Sequence, residues 1–339
     1  MILKPRSHRQ LALPRVSVVI PVSTRADLLP ACLRALATEA SQDTPFEVIV
    51  VLSGESHGFA TELAAVAPPI LSLGVVSSPV NLGLAGAAHA GRTVARGEFL
   101  VFLHDDTEVQ PGWLAALVAA AERHPEAGAI GSQVLSFDGG LQSAGSILWR
   151  DGTTCPPWVG DPPPAERFAR GRAVDYCGTS SLLVRTATWD ALGGFDQRFY
   201  PVYFVDVDFA MAVRRWGGVV RYEPASRVFH HKSASTPDEA FRVFVSERNR
   251  RIFCEKWSVA LEDHEARARD LSPAIARALV RTEARGESLR ASRALPQGPA
   301  TIGPAISLRK LERRSRVLDR ALSKDYAAHV RALSGASPN

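Results

Sequence analysis

Short, continuously apolar runs rich in β-branched residues recur along the first part of the chain, and each is followed by a stretch with helical spacing. The runs are Val16 to Pro21, Phe46 to Leu52, Ile70 to Ser77 and Glu98 to Leu103, and the helical stretches between them are about Asp27 to Leu36, His57 to Val66 and Leu84 to Ala95. A strand without polar alternation is buried on both faces, and strands separated by helices are joined by crossovers. The pattern therefore predicts an α/β fold with a mostly parallel central sheet flanked by helices. A helix after Pro111, a strand over Ala129 to Leu135, a strand near Thr179 to Val184 and helices near Thr186 to Leu192 and Asp206 to Trp216 extend it. Between them, Trp149 to Arg172 carries Pro156, Pro157 and Pro162 to Pro164, which exclude a helix or a central strand and predict a loop at a site rim.

The chain divides by pattern into a leader over 1–15, a catalytic domain over 16–257 and a helical C-terminal extension over 258–339. In the extension Leu308, Leu311, Val317, Leu318 and Leu322 form an apolar stripe, with Arg313, Arg314, Arg316 and Arg320 on other faces. Such a helix can pack on the core, pair in a homodimer or make a peripheral membrane contact. No run approaches the roughly 18 apolar residues of a membrane span. The four cysteines form no Cys-x-x-Cys pair, so the expectation is a cytoplasmic protein with reduced thiols. The net charge of +5 is modest and its arginines are interspersed with acids, which argues against a nucleic-acid partner.

The sharpest local signal is the strand Phe99 to Leu103, which runs into His104, Asp105 and Asp106. Ligands of open α/β sheets bind beyond the carboxyl ends of strands, and hard carboxylate oxygens suit Mg²⁺ or Mn²⁺. A polar turn before the next helix is the alternative. Asp206 and Asp208 enter a helix; Asp208 reads as a helix cap, and Asp206 as a group facing the cleft that accepts the proton of an acceptor hydroxyl. One of His230 and His231 can join a metal shell or bond a leaving diphosphate, or both are surface or core residues. The first strand-to-helix turn, Pro21 to Arg25, has no glycine, and no Gly-x-x-x-x-Gly-Lys-Ser/Thr loop exists. Dinucleotide-dependent dehydrogenases and P-loop kinases are thereby disfavoured.

In order along the chain, VSVVIPV, FEVIVVLSGES, NLGLAGAAHAG, ARGEFLVFLHDDTEVQPGW, CGTSSLLVR, GGFDQRF, YFVDVDFAMAVRRWG, RVFHHK and ERNRRIFCEKW resemble family 2 glycosyltransferases of the GT-A fold, over about Val16 to Trp257. The resemblance implies an inverting transferase using a nucleotide-diphosphate-sugar donor and Mn²⁺ or Mg²⁺, with a glycan, a lipid-linked molecule or a small molecule as acceptor. It implies Asp106 and His230 as metal-site residues and Asp206 as catalytic base. It places Pro21, Ser23, Ser53, Asn81, Gly83, His104 and Asp105 at the donor, and Gly178, Asp196, Tyr203 and Asp208 on the acceptor side. Three departures stand out: Leu52 and Ser53 where relatives carry Asp, Val205 in place of Glu, and His104 at the first acidic position of the metal motif. They motivate an alternative from another class, a catalytically silent nucleotide-sugar-binding or assembly protein of the same fold; a second alternative is a sugar nucleotidyltransferase, which also uses carboxylate-held metal beside a sheet.

Overall fold

The computed structural model describes residues 2–3, 13–24, 26–40, 44–157, 168–231, 238–268, 271–291 and 306–333. Most of the expected leader, Arg25 of the first turn, the Pro162 to Pro164 part of the loop and the Leu295 to Pro304 region lie outside these residues. In chain order the elements of the first half are β1 (Ile2–Leu3), β2 (Val16–Val22), α1 (Leu29–Glu39), β3 (Phe46–Ser53), α2 (Leu63–Val66), β4 (Leu73–Ser78), α3 (Gly83–Arg92), β5 (Phe99–Leu103), β6 (Thr107–Val109), α4 (Trp113–Arg123) and β7 (Ala127–Leu135). There follow β8 (Leu141–Ser143), β9 (Ile147–Leu148), β10 (Thr154–Cys155), β11 (Arg172–Val174), β12 (Ser181–Arg185), α5 (Thr186–Leu192), α6 (Val205–Arg215), β13 (Val219–His230), α7 (Glu239–Leu261), α8 (Leu271–Ala291) and α9 (Leu308–Leu333).

The central sheet has the order β1-β4-β3-β2-β5-β12-β7-β13-β11, with β6 and β8 pairing on β13 and β7. Strands β4, β3, β2 and β5 are mutually parallel; β12 is antiparallel between β5 and β7, and β13 then runs parallel to β7. The parallel strands are buried on both faces, as their unbroken apolar runs require. Along β2, Val18, Ile20 and Val22 enter one apolar layer with Leu33 and Leu36 of α1, while Val19 enters the opposite layer with Ala87 and Ala90 of α3. Pro21 lies past the last rung that β2 shares with β5, Val19 opposite Phe102, so a missing N–H breaks no bond on that side.

Three elements differ from the sequence reading. Two leader residues, Ile2 and Leu3, pair antiparallel with Val76 and Val75 on the outer edge of β4. The expected helix from His57 to Val66 is a 3₁₀ segment, Gly54–Ala60, followed by the single turn of α2. Strand β13 runs from Val219, although the sequence reads as a strand only over Val228 to His230; a register shift against β7 between Glu223 and Arg227 accommodates Pro224. No helix among the described residues is long and apolar enough to cross a membrane.

The C-terminal helices pack on the core. Ala274 and Ala278 of α8 lie against Ile147 and Trp149, and Leu311 and Leu322 of α9 are buried. The stripe proposed for self-association or membrane contact is therefore largely used inside the molecule: Leu308 and Leu318 pack against buried clusters, and Val317 faces solvent.

Candidate active site

The parallel strands reverse their order about β2, with β3 on one side and β5 on the other, which opens a crevice beyond their carboxyl ends. A cleft of about 330 Å³ lies there. It is lined by Pro21 and Ser23 after β2, Ser53 at the end of β3, Asn81 and Gly83 before α3, and His104 and Asp105 after β5. The opposite wall is Pro201, Val202, Asp238 and Phe241, none of which the sequence motifs singled out. Leu52 is fully buried in the core, so at the end of β3 it is Ser53 that faces the cleft.

Gly83 occupies its place for two local reasons. Its φ is +62°, and a Cβ there would stand 2.8 Å from the carbonyl oxygen of Pro201 and 2.8 Å from the Tyr200 ring. The Gly83 N–H donates to Asn81 Oδ1 (2.9 Å) and the Leu84 N–H to Pro201 O (2.7 Å). The first amides of α3 are thus engaged within the protein.

A second cluster adjoins the cleft floor. Register places it: β6 pairs with the end of β13 so that Thr107 faces His230, and the His231 N–H donates to Asp106 O (3.0 Å). His230 Nε2 lies 3.3 Å from Asp106 Oδ1 and 3.4 Å from His104 Nδ1, and His104 Nδ1 lies 3.9 Å from Asp106 Oδ1. Asp106 Oδ1 is buried and makes no hydrogen bond. Three ligand atoms facing one point, one of them an orphaned carboxylate oxygen, fit a divalent ion. Burial lowers His104 to about 4, leaving its ring neutral near pH 7. Burial also pushes the Asp106 carboxyl up, but the imidazoles of His230 and His104 beside it outweigh that and hold the group below the usual range. His230, not His231, enters this cluster; His231 stacks on Phe137 with ring centroids 4.0 Å apart.

Thr179 joins this cluster to Asp206. Its hydroxyl lies 3.1 Å from His104 Nε2, and its backbone amide lies near enough to the Asp206 carboxylate to draw its pKa down. Asp206 also accepts from the Val207 N–H (2.9 Å). Burial nevertheless raises its carboxyl to about 6. A Cβ on Gly178 would lie 3.6 Å from Asp206 Oδ2, so glycine keeps the space beside the carboxylate open. Tyr203 and Phe204, just before α6, both take positive φ (70° and 68°).

Two residues expected on the acceptor side are engaged elsewhere. Asp208 is buried, accepts from Lys256 Nζ (2.8 Å) and Trp257 Nε1 (2.7 Å), and so ties α6 to α7; it neither caps α6 nor lines the cleft. Asp196 holds the other side of Lys256 (3.0 Å) and the Arg198 backbone and side chain. Burial pushes Asp196 up, but these bonds outweigh it and hold its carboxyl well below the usual range. The sequence reading also passed over Thr179, which stands in the CGTSSLLVR segment but was given no role, and missed Gln142, whose amide faces His230 and which stands in no motif.

The glycosyl transferase family 2 model matches residues 17–191, more than half of the chain. The chain belongs to glycosyl transferase family 2. This family 2 member is 31% identical over 235 residues to the O-antigen biosynthesis protein RfbC of Myxococcus xanthus, covering 67% of the chain and 18% of that protein. It is 27% identical to the protein y4gI of Sinorhizobium fredii, again covering only 27% of the relative's length. It is 30% identical over 248 residues to an N-acetylglucosaminyl-diphospho-decaprenol L-rhamnosyltransferase of Mycobacterium tuberculosis, covering 66% of the chain and 77% of that protein. Among solved structures, the mannosyltransferase PcManGT of Pyrobaculum calidifontis with GDP-Man and Mn²⁺ superposes with a TM-score of 0.53 at 21% identity, over 95% of this chain and 88% of that one. GalNAc-T7 with UDP, GalNAc and Mn²⁺ does so with 0.56 at 15% identity, over 82% and 55%. Both likenesses carry the GT-A fold expected from the sequence.

Proposed function

We propose that the protein is an inverting glycosyltransferase that moves a sugar from a nucleotide-diphosphate donor to an acceptor hydroxyl, in glycan or cell-surface polysaccharide synthesis. The observation that carries this reading is the Gly178–Thr179 segment, which runs beside the Asp206 carboxylate and carries the hydroxyl that contacts the His104 ring. A carboxyl raised to about 6 thereby stands next to the candidate ion cluster at the floor of the cleft.

The donor lies in the cleft against Ser23, Ser53 and Asp105, with His104, Asp106 and His230 under its diphosphate. His104, Asp106 and His230 would hold a divalent ion, which would supply positive charge against the leaving diphosphate; two imidazoles beside one carboxylate would favour a transition ion such as Mn²⁺ over Mg²⁺. Asp206, ionised near neutral pH, takes the proton of the acceptor hydroxyl as its oxygen bonds to the anomeric carbon and the bond from that carbon to the diphosphate oxygen breaks. One displacement inverts the anomeric centre. Gly178 leaves room beside Asp206 for the acceptor.

The departures at Leu52 and Val205 do not favour a silent protein, because both side chains are buried in the core and neither lines the cleft. Relatives named for O-antigen biosynthesis and for rhamnosyl transfer to a diphospho-decaprenol support a polysaccharide or lipid-linked acceptor.

The test is calorimetric titration of UDP-, GDP- and dTDP-sugars with and without Mn²⁺, then transfer assays on wild type and Asp206→Asn. The variant should bind donor as the wild type does and lose about 10²- to 10⁴-fold in transfer. Near-native turnover removes Asp206 from the role. Donor binding by a wild type with no transfer to any acceptor class makes the chain a binding protein, and pyrophosphate release from a nucleoside triphosphate and a sugar phosphate makes it a nucleotidyltransferase.

A further inference from the structure

Gln142, at the centre of the short strand β8, touches His230 twice. Its Nε2 donates to the carbonyl oxygen of His230 (2.6 Å) and, more weakly, to that of Leu135 (3.5 Å). Its Oε1 lies 3.0 Å from His230 Nδ1. A backbone carbonyl can only accept, so the amide has one consistent orientation, with its NH₂ on the carbonyls and its oxygen on the ring. An amide oxygen can only accept, so the Nδ1 facing it carries the proton. In the neutral ring, Nε2 is then a bare lone pair, and it points at the orphaned Asp106 Oδ1 and at His104 Nδ1. Acceptors facing one another at 3.3 Å are repulsive unless a proton or a metal cation lies between them.

We propose that Gln142 is the positioning residue that sets the tautomer of His230, so that its Nε2 lone pair is delivered to the cation site. The inference rests on the reading of His104, Asp106 and His230 as an ion site. Partners of this kind orient metal-bound imidazoles, and their loss typically costs about 10- to 100-fold in metal affinity. A second role is available to the same side chain: by donating to two carbonyls it could simply staple β8 to the ends of β7 and β13.

Two readouts separate these roles. In the full-length, metal-free protein labelled with ¹⁵N-histidine, the His230 ring nitrogens at alkaline pH should show the Nδ1–H tautomer; an Nε2–H tautomer overturns the proposal. Mn²⁺ affinity, read from the electron paramagnetic resonance of the free ion, should weaken by about 10- to 100-fold in Gln142→Leu. It should stay within about threefold of wild type in Gln142→Glu, whose carboxylate still accepts from Nδ1 but cannot donate to the carbonyls. A staple predicts the reverse for the second variant, so Gln142→Glu binding as weakly as Gln142→Leu overturns the proposal. A wild type with the Nδ1–H tautomer but no Mn²⁺ affinity sinks the ion site itself, leaving the tautomer assignment standing.

Discussion

Asp206 carries a cost that is measurable apart from catalysis. Burial raises its folded carboxyl to about 6, above the ordinary value near 3.8. The neutral group is therefore the one the fold prefers: its relative stabilisation is full below the unfolded value and is lost as pH rises through about 6. Near pH 8 the Asp206→Asn variant should be more stable than wild type by about 1–3 kcal/mol, and near pH 4 the two should melt together. In the wild type, transfer should rise with pH through about 6 and then level; a flat profile across that window would mean that another group is the base. Asn249 works on the same residue from behind. Its buried Nδ2 donates to the carbonyls of Phe199 (3.2 Å), Val202 (2.8 Å) and Tyr203 (3.2 Å). It thereby holds the left-handed backbone of Tyr203 and Phe204, a conformation costing about 1–3 kcal/mol per residue. Asn249→Ala should lose about 2–3 kcal/mol in urea unfolding, since it leaves buried carbonyls unpaired. Unchanged stability would show that the loop before Asp206 is held by other contacts.

At the scale of elements, α8 is locked by a buried ion network. Asp175, with no exposure, accepts from Arg214 Nη1 (2.6 Å), from Arg281 Nη1 (3.0 Å) and Nη2 (2.9 Å), and from the Leu148 N–H (3.0 Å). Burial pushes its carboxyl up, but Arg214 and Arg281 outweigh it and hold the carboxyl below its ordinary value. The contribution is thus present above the unfolded value near 3.8 and fades as pH falls through the lowered one. Asp175→Ala leaves two arginines without their common partner and should cost about 3–5 kcal/mol. Amide exchange of α8 should accelerate more than that of β2 or β5; equal protection in all three would mean that packing of Ala274 and Ala278 alone holds the helix. None of this was legible beforehand, since Asp175 stands in no motif and meets Arg281 only through the packing of α8. Strands β2, β3 and β5 were legible, because burial on both faces demands an unbroken apolar run. Most of β13 was not, because Pro224 and the charges around it conceal a strand that continues through a register shift.

Over the whole molecule, the segment beyond Ser258 packs onto the sheet and its cleft. From α9, Glu312 accepts from Ser78 Oγ (2.9 Å), Ser315 donates to Leu82 O (3.3 Å), and Asp319 accepts from the Tyr200 hydroxyl (3.0 Å). These bonds buttress both the Asn81–Gly83 rim and the Pro201 wall of the cleft. Removal of residues 259–339 would also expose the partners of Leu311 and Leu322, each worth about 1.5–3 kcal/mol, against a total stability of about 5–15 kcal/mol for a typical domain. The truncated chain should lose its cooperative melting transition and its donor binding; a folded, donor-binding product would show that α8 and α9 are dispensable. By itself the sequence determined the layered α/β architecture and the strand ends at which a site must lie, because burial periodicity and strand-end chemistry are local properties of the chain; Asp106, Asp206 and His230 were expected there from the family resemblance. Only the tertiary structure decided that His104 joins the ion cluster, that Thr179 links it to Asp206, that Gln142 faces His230, and that Asp196 and Asp208 are taken by Lys256. Those are meetings between residues far apart in the chain, and they are set by strand register and helix packing, which no short segment encodes.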